Sequence, residues 1–179
     1  MQRCGMRNDH DWIKSLMLIR VGRSEELGRF QAIDKAARFR YAALPGFEFV
    51  MRAPAIGVDR FGAGEVWVAE VDQVVVGFVL LQPHEDTLYL ANVSVVPEAS
   101  GRKIGAALIA QAVWRAKATA AKAVTLATFR APPWNGPWFR RQGFQPVPED
   151  CIQPMLRAIL ERHSHYVDMS TRETLWYRT

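Results

Sequence analysis

The sequence is poor in the features that mark secreted, membrane and metal-binding proteins. Its 179 residues include only two cysteines, Cys4 and Cys151, so neither a disulfide framework nor a C-x-x-C zinc site is predicted. No apolar run approaches the roughly 18 residues that a membrane-spanning helix needs. The polar start, residues 1–11, lacks the apolar block of a signal peptide. We therefore expect a cytoplasmic protein without a membrane contact or a metal site, the two thiols being reduced and unrelated.

The charge is moderately basic. Twenty-three Lys and Arg against 18 Asp and Glu give a formal net charge of +5. Such a balance favours anionic ligands and also nucleic acid, and it does not separate the two. The basic residues are scattered rather than gathered in one block, so we do not expect a nucleic-acid partner. A substrate attached to RNA stays open as an alternative.

The chain divides into a short extension and one domain. Residues 1–16 are mostly polar and irregular, and a regular apolar pattern begins at Met17. We expect an N-terminal extension at 1–16, a domain at 17–179, and hypothesise that Met17 is the native initiator. No linker or internal repeat divides the rest, and its length suits a single core.

The periodicity predicts strands and helices in mixed order. Strand 87–96, the helix after Gly101 and strand 122–128 form a unit whose length predicts a right-handed crossover and a parallel pair. The segment 47–64 is irregular and aromatic, and we expect it to cover the substrate side. The other predicted elements are a strand at 17–21, a helix from Ser24 to about Tyr41, strands at 65–71 and 74–81, a turn at 83–86, a short helix at 134–142, a strand at 144–147, a helix at 154–163 and a strand at 174–178.

One stretch carries a chemical signal. After strand 87–96, small residues lead into a helix, so that the unpaired amides of the first turn can bind an anion. Gly101, Gly105 and Ala106 leave the backbone open, while Arg102 and Lys103 add positive charge. A pyrophosphate suits such a loop. Alone, the glycines also fit an ordinary tight turn, and neither the Walker nor the G-x-G-x-x-G spacing is present.

Two motifs together resemble the GNAT superfamily of N-acetyltransferases. The first is Val93-Ser94-Val95-Val96-Pro97, followed by the loop Ser100-Gly101-Arg102-Lys103-Ile104-Gly105. The second is the segment 133–144, with Asn135, an aromatic pair, basic residues and Gly-Phe. Their order and spacing match the family, and the likeness runs over about 17–179.

The resemblance implies a fold, a donor and a mechanism. The fold is α+β, a single domain with a mixed, mostly antiparallel sheet and helices on both faces. The donor is acetyl-CoA, entering where strands 87–96 and 122–128 part, and the acetyl group passes directly to a primary amine of a small molecule or peptide. Homodimers are common in the family, and the sequence permits one. The implied cofactor-binding residues are Val93, Ser94, Val95, Ser100, Gly101, Arg102, Lys103, Ile104, Gly105, Ala106 and Asn135.

The sequence departs from the family pattern at the groups that move protons. Ser100 and Lys103 replace the usual Gln or Arg and Gly of the loop. Ala91 and Asn92 stand where many relatives carry a glutamate, and Phe139 stands where many carry the tyrosine that protonates the thiolate. Both acid–base roles are therefore unfilled at their usual places.

Three interpretations follow. Other groups act through water, and by loop position His84, Glu85, Asp86 and Glu48 are candidates, while Asn92 can orient a water. Alternatively, the amine is already neutral and needs little help, or the protein binds acyl-CoA without turnover. We select Asn92, His84 and Glu85 as candidate catalytic residues of a working acyltransferase. The rivals are an acyl-CoA-binding module and an acetyltransferase acting on aminoacyl-tRNA.

Overall fold

The computed structural model describes residues 16–179. The expected extension at 1–16, with Cys4, therefore lies outside the described residues apart from Leu16. The first strand begins at Met17, and Cys151 is exposed. Within the described range, no helix combines the length and apolar character needed to cross a membrane.

A seven-stranded sheet forms the centre of the fold. Its spatial order is β1-β2-β3-β4-β5-β7-β6, and every neighbouring pair is antiparallel except β4 and β5, which are parallel. The predicted mixed, mostly antiparallel sheet and the α+β class are confirmed. The strands are β1 Met17–Val21, β2 Glu65–Val71, β3 Val74–His84, β4 Thr87–Val95, β5 Ala123–Phe129, β6 Gln145–Pro146 and β7 Arg172–Arg178.

Six α-helices accompany the sheet in the described chain. The predicted helix from Ser24 to Tyr41 is in fact α1 between two 3-10 segments, Ser24–Glu26 and Arg38–Ala43. The covering segment 47–64 contains two short helices. The α-helices are α1 Leu27–Ala37, α2 Glu48–Arg52, α3 Val58–Gly62, α4 Ile104–Ala118, α5 Gly136–Arg141 and α6 Pro154–Ser164.

Helices α1 and α4 pack on opposite faces of the sheet. Consecutive strand residues point to opposite faces. Phe78 of β3 has its ring centroid 5.5 Å from that of Phe30 in α1. A Cβ at the preceding Gly77 would stand 3.3 Å from Leu108 in α4. The two faces of one strand therefore meet different helices, as the resemblance implied.

The predicted turn at 83–86 is partly wrong. Pro83 and His84 belong to β3, and only Glu85 and Asp86 form the turn, with a positive φ of 50° at Glu85. Proline lacks an amide hydrogen, which excludes it from strands paired on both sides. Here β2 reaches only to Leu81 of β3, so Pro83 has a strand neighbour on one side alone.

The sheet opens between β4 and β5. Their ladder spans only Thr87 to Tyr89, opposite Ala123 to Thr125. On the other side of β4, the register with β3 shifts so that Leu80 faces Asn92 while Leu81 faces Leu90. Ala91 is the extra residue of a bulge, and bulges bend and twist a strand. The second half of β4 thus diverges from β5 and leaves one of its edges unpaired.

Candidate active site

A cavity of about 760 Å³ occupies the opening between β4 and β5. It extends from the end of α1 to the loop before α4 and to α5. The structure brings most of the predicted site residues to its wall; Arg102, His84 and Glu85 are not among them. The predicted residues that do line it are Asn92, Val93, Ser94, Val95, Ser100, Gly101, Lys103, Ile104, Gly105, Ala106 and Asn135.

A second cavity, of about 580 Å³, lies at the far end of β5 and β7. Lys117, Lys122, Cys151 and Arg178 are among its lining residues, but among the described residues neither an acidic side chain nor a histidine lines it. Acid–base chemistry therefore points to the first cavity.

The start of α4 has the form of an anion site. Helix α4 begins at Ile104 without a side-chain cap, so the amides of its first turn face the cavity mouth without an internal acceptor. Two residues before them adopt left-handed backbone, Gly101 at φ 79° and Lys103 at φ 60°. A glycine takes this conformation at little cost, whereas Lys103 does so against the clash of its Cβ.

Gly105 also has a packing role that the sequence did not indicate. We expected its missing side chain to keep the phosphate approach open. A Cβ there would stand 3.1 Å from Cζ2 of Trp138 in α5. The glycine thus lets α5 pack closely on α4, in addition to leaving the backbone of the loop uncovered.

Asn92 belongs to a hydrogen-bonded chain that reaches a buried carboxylate. The hydroxyl of Ser94 donates to Oδ1 of Asn92 at 2.8 Å, and Nδ2 of Asn92 donates to Oδ1 of Asp34 at 3.2 Å. Asp34, which is 4% exposed, also accepts from Arg38 in an ion pair one helical turn along. In the described chain, Asp34 is the one carboxylate that lines the cavity.

Asn135 is held by two side chains of the cavity wall. Its Oδ1 accepts from the Tyr41 hydroxyl at 2.6 Å, and its Nδ2 donates to Oγ1 of Thr128 at 3.0 Å. Burial raises the pKa of Tyr41 above its ordinary value. The phenol therefore stays protonated, and the residue is a hydrogen-bond donor facing the cavity.

The usual acid and base positions contain no ionisable group, as the sequence predicted. Phe139 is buried, with its ring 4.9 Å from Trp138 and 5.5 Å from Phe144, so it serves the core. Ala91 is the bulged residue of β4, and its carbonyl accepts from Arg60 at 3.3 Å.

His84 and Glu85 lie at the β3–β4 turn, at the other end of β4 from Asn92. The His84 ring lies tilted against the ring of Tyr89 with centroids 5.9 Å apart, and burial lowers the pKa of His84. Glu85 is exposed. The other loop candidates are engaged elsewhere, since Asp86 pairs with Lys122 at 2.7 Å and Glu48 accepts from the amide of Gly46 at 3.2 Å. The geometry of the cavity does not support the prediction that these groups act as bases.

Comparison with known proteins agrees with this architecture. Residues 62–146 match the family described as "Acetyltransferase (GNAT) domain". That range runs from just before β2 through β6 and contains the parted strands, the anion loop and α5. This central part of the chain is therefore similar to a GNAT acetyltransferase domain. The predicted resemblance and the predicted enzyme class, acyltransferase, are thereby confirmed.

Solved structures share the GNAT fold at low sequence identity. The PaiA N-acetyltransferase of Thermoplasma acidophilum, in complex with coenzyme A, has a TM-score of 0.68 at 15% identity, over 92% of this chain and 99% of that one. A GNAT family acetyltransferase of Brucella melitensis, in complex with acetyl-CoA, has 0.55 at 24%, over 73% and 84%. N-acetylglutamate synthase of Neisseria gonorrhoeae has 0.66 at 18%, over 92% of this chain but 35% of that one.

Sequence reasoning missed several cavity residues, among them Asp34, Tyr41, His163 and Arg172. One signal was present for Asp34, because it lies on the apolar stripe of α1, four residues after Phe30 and next to Ile33. His163 carried no comparable signal, since it sits in a polar helix end. All four lie outside residues 62–146.

Proposed function

We propose that this protein is an acetyl-CoA-dependent N-acetyltransferase that passes an acetyl group directly to a primary amine of a small molecule or peptide. One observation carries the proposal. The unpaired edge of β4 runs from the bulge at Ala91 to Val95, and the uncapped start of α4 follows it in the same cavity. A ligand with an extended amide chain and a pyrophosphate fits these two features together.

The described residues fit acetyl-CoA at both ends. Beyond Tyr89 the backbone of β4 has no partner strand in β5, so Val93 and Val95 can bond a pantetheine arm. The amides of Ile104 to Ala106 and the Lys103 side chain would hold the pyrophosphate. Acetyl-CoA, when bound, supplies the activated thioester, and the chain supplies position and proton transfer.

Asp34 is the group that we assign to proton removal. Its carboxylate lines the cavity and is joined to Asn92 by a hydrogen bond. The amide of Asn92 can orient a water between the amine and this carboxylate, which then accepts the amine proton. Asn92 thereby keeps the role predicted from the sequence, as an orienting group.

Tyr41 is the group that we assign to the leaving thiolate. Phe139 cannot donate a proton, and the Tyr41 hydroxyl is bonded to Asn135, four residues before Phe139. A protonated phenol on this wall can turn from Asn135 to donate a hydrogen bond to the thiolate as the carbon–sulfur bond breaks.

Two other functions remain to be tested against this proposal. The absence of ionisable groups at Ala91 and Phe139 favours a module that binds acyl-CoA without turnover. The net charge of +5 favours an acetyltransferase that acts on aminoacyl-tRNA. An RNA substrate would bind with an affinity that falls steeply with salt, and salt-insensitive or absent RNA binding would exclude it. We further propose a cytoplasmic location, on the sequence grounds given above, and leave the homodimer for sedimentation to decide.

The decisive experiment is calorimetric titration of acetyl-CoA and of free CoA into two matched variants. Ala106→Glu places a carboxylate on the cavity wall at the start of α4, where it suits the helix dipole but repels a phosphate. Ala107→Glu adds the same charge one residue later, outside the cavity lining. We expect micromolar binding by the wild type, at least a 100-fold loss in Ala106→Glu, and less than a threefold change in Ala107→Glu.

Equal affinity in both variants would overturn the assigned anion site. Binding of acetyl-CoA without release of CoA across a broad amine panel would overturn the transferase and leave the binding module. Release of CoA with one class of amines would establish the reaction and identify the acceptor.

A further inference from the structure

The cavity wall carries more positive charge than acetyl-CoA's loop requires. Its cationic side chains are Arg38, Arg40, Arg60, Lys103 and Arg172, against the single carboxylate of Asp34. Arg38 forms an ion pair with the Asp34 carboxylate, and Lys103 lies at the phosphate loop. In the described chain neither Arg60 nor Arg172 forms an ion pair with an acidic side chain.

Arg172 is the most unusual of these cations. It is only partly exposed, and its guanidinium lies over the ring of Phe129, 4.6 Å from the centroid. One Nη donates to the carbonyl of Ala127 at 2.9 Å, but its buried Nε has no acceptor among the described residues. Buried charges are normally paired. A planar fork with an unused donor is suited to a carboxylate.

Three groups meet at this end of the cavity. Arg60 reaches the carbonyl of Ala91 at 3.3 Å. His163 lines the cavity beside them, and burial, followed by the charges of Arg172, Arg60 and Arg162, lowers the pKa of His163 to about 4. His163 is thus neutral near pH 7, and its buried Nδ1 has no described partner. A singly charged anion suits this set.

This group is separate from the anion site of acetyl-CoA. From Ala91 to Val95 the strand rises by about 13 Å, and the phosphate loop follows after that. Arg60 and Arg172 therefore lie at the opposite end of the opening, beside the bulge. They face the part of the cavity left for the acceptor.

We propose that the acceptor is an amino acid, whose carboxylate is bound by Arg172 and Arg60 while its amine faces the bulge at Ala91. This inference rests on the proposed acetyl transfer and deepens it, because it names the substrate class. The reaction forms the amide bond between the acetyl carbon and the amine nitrogen and breaks the carbon–sulfur bond of the thioester. The amine proton passes by way of Asp34 to solvent, and the thiolate, hydrogen-bonded by Tyr41, takes a proton from solvent.

The first test compares acceptors that differ only in the carboxylate. Release of CoA is measured with the twenty amino acids, β-alanine and γ-aminobutyrate, and then with the amide of the best acceptor. The amine of an amino acid amide is less basic than that of the free acid, so a preference for the acid cannot come from the amount of neutral amine. We expect the acid to be favoured at least tenfold in kcat/KM.

The second test uses variants of Arg172. Arg172→Gln should raise KM for the amino acid roughly 10- to 100-fold, change kcat less than threefold and remove the preference over the amide. Arg172→Lys keeps the charge without the fork and should recover only part of the affinity. Arg178→Gln is the matched control, since Arg178 also stacks on a ring, that of Trp176, but at the other end of β7. Equal use of acid and amide, or an unchanged KM in Arg172→Gln, would overturn the inference.

A third readout does not depend on turnover. The Nε–H signal of Arg172, identified by its loss in Arg172→Lys, is followed by ¹⁵N NMR while N-acetylglycine or its neutral amide is added to the CoA complex. A shift with the acid alone supports carboxylate recognition even if the chain transfers nothing, in which case only the proposed function fails. No shift with either compound overturns the carboxylate site.

Discussion

The hydroxyl of Tyr41 donates a 2.6 Å hydrogen bond to Oδ1 of Asn135 and so joins the segment after α1 to the residue that precedes α5. These two residues are 94 positions apart in the chain. Their contact places a protonated phenol near the position where Phe139 lacks one. This contact is the structural reason for assigning to Tyr41 the role of donor to the thiolate, which no residue fills at the usual position, Phe139.

Tyr41→Phe should lower kcat about 100-fold, because it removes the donor to the leaving thiolate while the ring keeps its packing. Acetyl-CoA affinity should change less than threefold, as measured by calorimetry. Tyr166→Phe, at a tyrosine that is 84% exposed, is the control and should be silent. A fully active Tyr41→Phe enzyme would remove Tyr41 from the reaction.

Asp34→Asn should lower kcat by about two to four orders of magnitude, since an amide cannot accept the amine proton. The same change leaves Arg38 without its partner, and we expect a loss of about 3 kcal/mol in the free energy of unfolding. The rate is measured on protein shown by circular dichroism to be folded.

Arg38→Gln separates the two effects of Asp34→Asn. It breaks the same ion pair and should destabilise the fold comparably, but it retains the carboxylate and most of the activity. If the two variants lost activity equally, the role of Asp34 would be structural.

The antiparallel pairing of β2, β3 and β4 and the parallel pairing of β4 with β5 could be anticipated from the chain, while the opening between β4 and β5 was implied by the resemblance. The local sequence shows the apolar runs of β2, β3 and β4, and it shows the change from strand to helical periodicity in the strand–helix–strand unit. The bulge at Ala91 could not be anticipated, because the sequence Leu90-Ala91-Asn92 does not differ from that of an ordinary strand. Its position depends on pairing with β3.

The cavity residues divide in the same way. The anion loop could be predicted from the sequence, because anion binding by backbone amides at a helix start requires only small residues at the right spacing. Tyr41 and Arg172 could not be predicted in this way, since their roles depend on side chains that the fold brings together from distant elements. A lone tyrosine at a helix end or an arginine at the start of a strand belongs to no recognisable sequence pattern.

Lys103→Gly should raise the free energy of unfolding by about 1 kcal/mol, because Lys103 holds a left-handed φ of 60° that glycine adopts freely. It should also weaken acetyl-CoA binding through the lost charge. Arg102→Gly is the comparison: Arg102 lies outside the residues with positive φ, so its replacement should not stabilise the fold. Urea unfolding of both variants measures the difference, and equal changes would contradict strain at Lys103.

Gly136→Ala should destabilise the protein by about 1–3 kcal/mol. A Cβ there would overlap Oε1 of Glu173 and stand 3.1 Å from the carbonyl oxygen of Arg130. Glu173 cannot easily move, since it is buried and paired with Arg140. Gly28→Ala is the matched control: Gly28 lies in α1, and a Cβ there would have no atom within 4 Å. This change should stabilise the protein by about 1 kcal/mol. Urea midpoints that moved in the same direction would refute the close contact at Gly136.

His163 should make the protein less stable as the pH falls. The pKa of His163 is about 4 in the folded chain against 6.5 ordinarily. Between these values the unfolded chain binds a proton that the folded chain does not, so the free energy of unfolding declines from pH 6.5 towards pH 4. We expect a contribution of about 2 kcal/mol, below the full thermodynamic value because the ring is partly exposed.

The test subtracts the urea stability of His163→Gln from that of the wild type at pH 7, 6, 5 and 4.5, which cancels every group that the two share. The difference should shrink steadily as the pH falls, because only the wild type carries a ring whose protonation is opposed by burial and, to a lesser extent, by the charges of Arg172, Arg60 and Arg162. A difference that stayed constant with pH would mean that His163 titrates alike in both states. It would also mean that neither burial nor the neighbouring arginines oppose its protonation, and the anion site assigned to Arg172 and Arg60 would lose one of its three members.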